Sequence, residues 1–266
     1  MDLRIKKRII EKIYEKANKQ YVKLLRGTQK LITTAALHSK TFSEYKGCFG
    51  GKKIVIVGAG PTLNKYTRMD DCIHIGLNSA CKRTDLKFDF LFTIDRIGID
   101  SIYSDFAAVD CVKFIGDQDM GPAFQIPESW ILKTEKVRRY KTDAGLYNRS
   151  FFALNLESQP LGNYNTVSLQ AAQFALYTNP AAIYLVGIDC TPKGHFDSTE
   201  KDVSTLKNRL SSRGENLNNW SNDTTKYWNE FKSFAQTYYP DTKIISINPV
   251  GLKGLFEDIY TNSQEI

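Results

Sequence analysis

Six short apolar runs, rich in Ile, Val and Phe, recur along the chain, and each stops at a small or polar residue. They occupy 52–58, 72–78, 88–95, 110–116, 182–189 and 243–248. Runs of five to eight residues without strict polar alternation read as strands buried on both faces. Between and after them, 166–177 and 223–239 carry helical spacing of apolar residues. Strands alternating with helices predict an α/β fold, a doubly wound and mostly parallel sheet of Rossmann-like type. In such sheets the ligand lies beyond the carboxyl ends of the strands, so Gly58, Asn78, Asp95, Asp189 and Asn248 share the candidate rim.

Charge divides the chain unevenly. Residues 1–47 hold 12 Lys or Arg against 4 Asp or Glu, a balance of +8, whereas the whole chain is +7. The remainder, 48–266, therefore sums to −1, and its near-neutral surface argues against nucleic-acid binding. Within the arm, 3–37 lacks proline and places Ile5, Ile9, Ile13, Tyr21, Leu24 and Leu31 at helical spacing among lysines. This predicts a basic amphipathic helix. It has two candidate partners, an anionic membrane surface and another packed surface, either the body or a second copy. The expected organisation is thus a helical arm, 1–47, and an α/β domain, 48–266. Polar stretches at 149–162 and 192–222 are expected as irregular lid or acceptor segments.

No stretch has the length and apolarity of a membrane span, and the first residues lack an apolar signal region. The five cysteines form no CxxC pair and read as thiols in a reducing compartment. The expected location is cytoplasmic, with peripheral attachment to a membrane through the arm.

Gly58-Ala-Gly-Pro-Thr-Leu63 follows the first strand, and its glycines allow a sharp turn with close backbone approach to a phosphate. A dinucleotide site would want a small residue where Leu63 stands and an acid where Asn78 stands, so NAD is disfavoured. No Walker A lysine follows the loop. Asp117-Gln-Asp119 is the nearest match to a metal-binding DxD.

The order of Gly58-Ala-Gly-Pro-Thr-Leu63, Ile75-Gly-Leu-Asn78, the turn Asn165-Thr-Val-Ser168 and Tyr184-Leu-Val-Gly-Ile-Asp189 resembles the bacterial sialyltransferase superfamily. That group includes the family 42 sialyltransferases, the motility accessory factors and pterin diphosphokinase-like proteins. The resemblance covers roughly three quarters of the chain, about 52 to 250. It implies that 48–266 is a nucleotide-sugar-binding catalytic domain, an inverting glycosyltransferase that moves an acidic sugar from a CMP-activated donor to a glycan acceptor such as a surface polysaccharide or lipooligosaccharide. No cofactor and no metal are implied. Gly58, Gly60, Thr62, Asn78, Asp95, Asn165, Thr166, Ser168, Gly187 and Asp189 fall where the family holds the nucleotide. Thr166 and Ser168 equally suit capping of the helix that follows. The family's tyrosine at the leaving group has a candidate in Tyr164.

The chain departs from the pattern at the general base. The family's histidine loop corresponds here to a stretch around Trp220 that has no histidine. His195, on the loop after Asp189, is the candidate base, with Asp197 to orient its ring. The resemblance also leaves two other readings open: a pterin or nucleotide diphosphotransferase, as in the pterin-type branch, and a nucleotide-binding module without catalysis, consistent with the absent family histidine.

Overall fold

A computed structural model describes the backbone of residues 3–94, 96–117, 136–143, 151–162, 164, 166–191, 193–211 and 217–261. Side chains of 3–11, 96–101, 202, 205, 206, 209, 210, 217 and 220 are not part of that description.

Eight parallel strands form one sheet: β1 (Lys53–Val57), β2 (Cys72–Leu77), β3 (Phe90–Thr93), β4 (Val112–Asp117), β5 (Val137–Lys141), β6 (Ala182–Val186), β7 (Lys243–Ile247) and β8 (Glu257–Ile259). Their spatial order is β5-β4-β3-β2-β1-β6-β7-β8. The chain winds outward from β1 in one direction through β5, then returns to the other side of β1 with β6. The order reverses between β1 and β6, which makes that pair the topological switch point.

Among the described residues the α-helices are α1 (Leu3–Phe42), α2 (Arg96–Ala108), α3 (Val167–Tyr177), α4 (Glu200–Ser211) and α5 (Leu217–Tyr238). Alternation along β1 serves both faces of the sheet. Ile54 and Ile56 join the core with Phe92, Phe114, Phe174 and Trp228. Val55 and Val57 join the opposite core with Leu91, Ile102 and Phe106. All four β1 side chains are fully buried, so burial on both faces is what made the run continuous rather than alternating. On the first face, Phe92 and Phe114 stack with ring centroids 4.5 Å apart, and Phe174 of α3 lies 4.8 Å from Phe114. These offset contacts fix α3 over the middle of the sheet.

The parallel fold and the amphipathic helix agree with expectation, and four details differ. First, β5 and β8 were not expected. Each is an edge strand, and β5, Val-Arg-Arg-Tyr-Lys, has one hydrogen-bonded neighbour and a charged sequence that hid its strand character. Secondly, 192–222 is not irregular throughout, since α4 and the start of α5 lie within it. Thirdly, the described part of 149–162 is a packed loop. Ala153 and Gly162 both donate backbone N–H bonds to Gln173 Oε1 of α3, at 3.0 and 3.1 Å, and Leu156 and Leu161 are fully buried.

Fourthly, α1 is longer than its amphipathic stretch. Thr34, His38, Thr41 and Phe42 are buried, and Phe42 stacks against Phe114. His38 spans two segments of the body. Its Nδ1 lies 2.9 Å from the Leu156 carbonyl, and its Nε2 accepts from the Lys141 N–H at 2.7 Å. Both bonds together require the neutral ring with hydrogen on Nδ1. Burial accordingly pushes the His38 pKa down to about 4. The part of the chain packed on the sheet thus begins near Thr34, well before the expected boundary at 47. Among the described residues no helix is long and apolar enough to cross a membrane.

Candidate functional site

The carboxyl ends of β1 and β6 approach so closely that neither carries a side chain. The Gly58 N–H donates to Val186 O at 2.7 Å, and the Gly60 N–H donates to Gly187 O at 2.8 Å. A Cβ on Gly58 would sit 2.5 Å from Gly187 O and 2.5 Å from Ile188 Cδ1. Gly187 has φ +63°, in the left-handed region, which glycine enters without steric cost. Glycine at 58 and 187 is therefore required by strand-to-strand contact.

Asp189 holds the glycine loop from below. Its buried carboxylate accepts the Thr62 N–H at 2.8 Å through Oδ2, and the Thr62 hydroxyl through Oδ1. A Cβ on Gly60 would meet this carboxylate at 2.6 Å. Burial pushes the Asp189 pKa up, while the two Thr62 hydrogen bonds and the charges of Lys193 and Lys65 oppose the rise. This corrects the sequence expectation for the loop. The amides of Gly58, Gly60 and Thr62 are spent inside the protein, and Leu63 N–H donates to Gly60 O. The loop is a braced wall rather than a cradle of free N–H groups for an oxyanion.

Cationic side chains stand where those amides were expected to act. A cavity of about 260 Å³ opens between Pro61, Thr62, Lys65, Asp189, Thr191 and Lys193. Two lysines at its mouth favour an anionic ligand.

Next to β1, β2 ends at Asn78, whose backbone has φ +46°. Asparagine tolerates this left-handed conformation better than most residues. Its Oδ1 is buried and has no hydrogen-bond partner among the described residues. A buried acceptor left unpaired costs about 1–3 kcal/mol, a cost that a hydrogen-bond donor reaching Asn78 Oδ1 would relieve.

The loop after β6 folds back across the glycine loop. Phe196 N–H donates to Ala59 O at 2.7 Å, and Asn64 Nδ2 donates to Phe196 O at 3.1 Å. This brings His195 to the same rim, where its Nδ1 lies 3.2 Å from Ser79 Oγ. The residue is exposed at its outer edge, yet protein on the inner side lowers its pKa through desolvation. The Asp197 charge opposes that lowering and Lys82 adds to it. Asp197 does not orient the ring as expected. It pairs with Lys82 Nζ at 2.6 Å and acts on His195 only through its charge. Ser79, the buried residue directly after Asn78, occupies the orienting position, and a serine beside a strand-end asparagine was the available signal.

Thr166 and Ser168 lie at the amino end of α3, which precedes β6 and so reaches the same rim. Thr166 Oγ1 accepts the Ser168 N–H at 3.4 Å and lies 2.8 Å from Ser168 Oγ, so the pair caps the helix. Tyr164 is buried, stacked on Phe152 at 4.4 Å and edge-on to Tyr227 at 5.1 Å. Desolvation holds its hydroxyl protonated. Asn248 belongs to the fold instead: its side chain bonds Thr261 at 2.7 and 3.0 Å and pins β8. Asp117 of the DxD-like stretch is buried and paired with Arg139 at 2.5 Å and Lys141 at 3.1 Å. Asp95, Asn165 and Asp119 lie outside the described residues. Among the described residues no cluster of three or more His, Cys, Asp or Glu is placed to hold a metal ion.

No protein-family model matches the chain, and no curated protein matches it. Solved structures do. The chain is similar to the sialyltransferase CstII from Campylobacter jejuni in complex with the substrate analogue CMP-3FNeuAc, at 14% identity and TM-score 0.43, with 81% of this chain and 88% of that chain covered. It is also similar to CstII from Campylobacter jejuni in complex with cytidine-5'-monophosphate, at 15% identity and TM-score 0.46, with 82% and 89% covered.

Proposed function

We propose that this chain is a glycosyltransferase that moves an acidic sugar from a CMP-activated donor to a hydroxyl of a glycan acceptor. The observation that carries the reading is one convergence at the β1/β6 switch point. An unpaired buried amide oxygen on Asn78, two lysines at a cavity, and an imidazole of lowered pKa meet on one rim. The motifs that resemble the sialyltransferase superfamily supply the donor class, and they lie along that rim.

Each group has a role in this chemistry. Asn78 Oδ1 accepts a hydrogen bond from the ribose or the cytosine amine. Lys65 and Lys193 hold the phosphate and stabilise the charge that grows on it as the bond to the sugar breaks. The acceptor oxygen forms the new bond to the anomeric carbon while CMP departs with the electron pair of the old one. His195 Nε2 takes the acceptor proton, which requires hydrogen on Nδ1, and Ser79 Oγ accepts that hydrogen and fixes the ring. A lowered pKa keeps the ring neutral, and therefore basic, at neutral pH. Lysines carry the charge compensation, so the reaction runs without a metal ion in this scheme.

The test is a thermal-unfolding panel of CMP, CDP, UDP, GDP, ATP and NAD, which reads base preference through stabilisation of the folded state. CMP at about 100 times its dissociation constant is expected to add roughly 2.7 kcal/mol. Stabilisation by NAD with none by CMP overturns the reading.

A further inference from the structure

Residues 12–33 of α1 contribute nothing to the site and carry a surface that the fold leaves uncovered. Every residue from 12 to 33 is exposed except Gly27 and Lys30, which are half-buried. This stretch is roughly 33 Å long at 1.5 Å per residue. Its large apolar side chains point into solvent: Tyr14 is 76% exposed, Leu24 68%, Ile32 64% and Ile13 63%. Such side chains scattered singly would need no explanation, but these are not scattered. At 100° per residue, Ile13, Tyr14, Tyr21, Leu24, Leu25, Leu31 and Ile32 fall within an arc of roughly 120°. Val22, at 38% exposure, is the one large apolar side chain of residues 12–33 outside it. Lys12, Lys16, Lys19, Lys23, Arg26 and Lys30 fall within roughly 80° on the other side. Glu15 is the single acid among residues 12–33.

The helix meets the body through Thr34, His38, Thr41 and Phe42. On the same wheel these residues span roughly 100° between the basic and the apolar arcs, with Phe42 at the edge of the latter. The apolar side chains of residues 13–32 on the arc nevertheless stay exposed. Two occupants suit an open apolar arc, a second copy and a lipid surface, and the charge separates them. A helix pair would bring two axes to about 8–10 Å. Each helix would carry six basic residues and one acid, so the pair would gain repulsion with no acidic partner to relieve it. An anionic bilayer uses both faces at once. The apolar arc sinks to the headgroup boundary, and the lysine stems reach up to the phosphates. Tyr14 and Tyr21 suit that boundary, being apolar bodies with polar tips.

We infer that residues 12–33 of α1 form a docking surface for an anionic phospholipid bilayer, on which the chain lies without spanning it. The experiment is co-sedimentation of the full chain with vesicles of phosphatidylcholine alone and of phosphatidylcholine with phosphatidylglycerol. Strong partition onto the anionic vesicles and weak partition onto the neutral ones is expected. Raising salt from about 0.1 M to about 1 M shortens the Debye length from about 10 to about 3 Å and is expected to release much of the bound protein. Combined Lys16→Gln, Lys19→Gln and Lys23→Gln is expected to weaken binding on the order of 100-fold, about fivefold for each lysine. Leu24→Ser with Ile32→Ser is expected to abolish it. All five positions are exposed, so thermal unfolding and CMP stabilisation should match the parent and show that the body is intact. Equal partition onto both vesicle types, or none onto either, overturns the inference. So does a dimer in sedimentation equilibrium that Leu24→Ser with Ile32→Ser dissolves, since a second copy would then own the arc.

Discussion

Asn78→Gly separates a binding role from a structural one, because the two predict opposite changes in the free protein. Removing the side chain removes a buried oxygen that has no partner among the described residues, returning about 1–3 kcal/mol. Glycine accepts φ +46° without steric cost but loses more freedom on folding, about 0.5–1 kcal/mol. The net expectation is a free protein as stable as the parent or more stable by up to about 2 kcal/mol. At roughly 2–4 °C per kcal/mol for a domain of this size, the midpoint should hold or rise by several degrees. Binding should move the other way. Loss of the amide's hydrogen bonds to the nucleotide is expected to cost about 1–3 kcal/mol, or roughly 5- to 150-fold in the dissociation constant for CMP. Thermal unfolding without ligand and calorimetric titration with CMP measure the two halves on the same preparation. A lower midpoint with unchanged CMP affinity would show that Asn78 serves the fold, and the argument from its unpaired oxygen would fail.

Three further expectations follow from the same geometry. His195→Ala should lower turnover by roughly 10²–10⁴ with little change in CMP affinity, and the acid limb of the parent's rate profile should lie below the ordinary imidazole value of about 6.5. Asp197→Asn should move that limb further toward acid and Lys82→Met toward neutral; a limb that stays put in both variants removes His195 from the role. His38, pushed down to about 4 by burial, stabilises the fold fully above about pH 6.5, and this contribution of about 3 kcal/mol drains away as pH falls toward 4. Acid unfolding followed in urea should show that loss in the parent and not in His38→Gln, and matching curves would contradict it. Gly58→Ala should cost about 1–3 kcal/mol by forcing β1 and β6 apart, whereas Gly27→Ala, in open helix, should stabilise by up to about 1 kcal/mol; equal melting of the two variants would contradict the close-contact account.

The strands that the sequence made legible are those buried on both faces. β1, β2, β3, β4, β6 and β7 read as apolar runs because each has a strand on either side and a core above and below. β5 and β8 escaped notice because an edge strand needs only part of that apolarity. The rim itself was legible, since Gly58, Asn78 and Gly187 follow directly from strand ends in a parallel sheet. Their pairings were not. Thr62 with Asp189, Ser79 with His195 and Lys82 with Asp197 join residues 127, 116 and 115 positions apart. Such contacts are set by how loops fold across the sheet, which no local pattern encodes. The glycine loop shows the same limit. Its composition gave the turn correctly, but composition does not reveal that Val186, Gly187 and Asp189 consume its amides.

The most direct measurement is CMP release from a CMP-activated acidic sugar, followed in the presence and absence of a glycan acceptor by the parent and by His195→Ala. The account predicts release that rises with acceptor, matched one for one by glycosylated product, and a loss of roughly 10²–10⁴ in the variant at unchanged CMP affinity. Tight CMP binding with no release under either condition, or equal turnover by parent and variant, would contradict it.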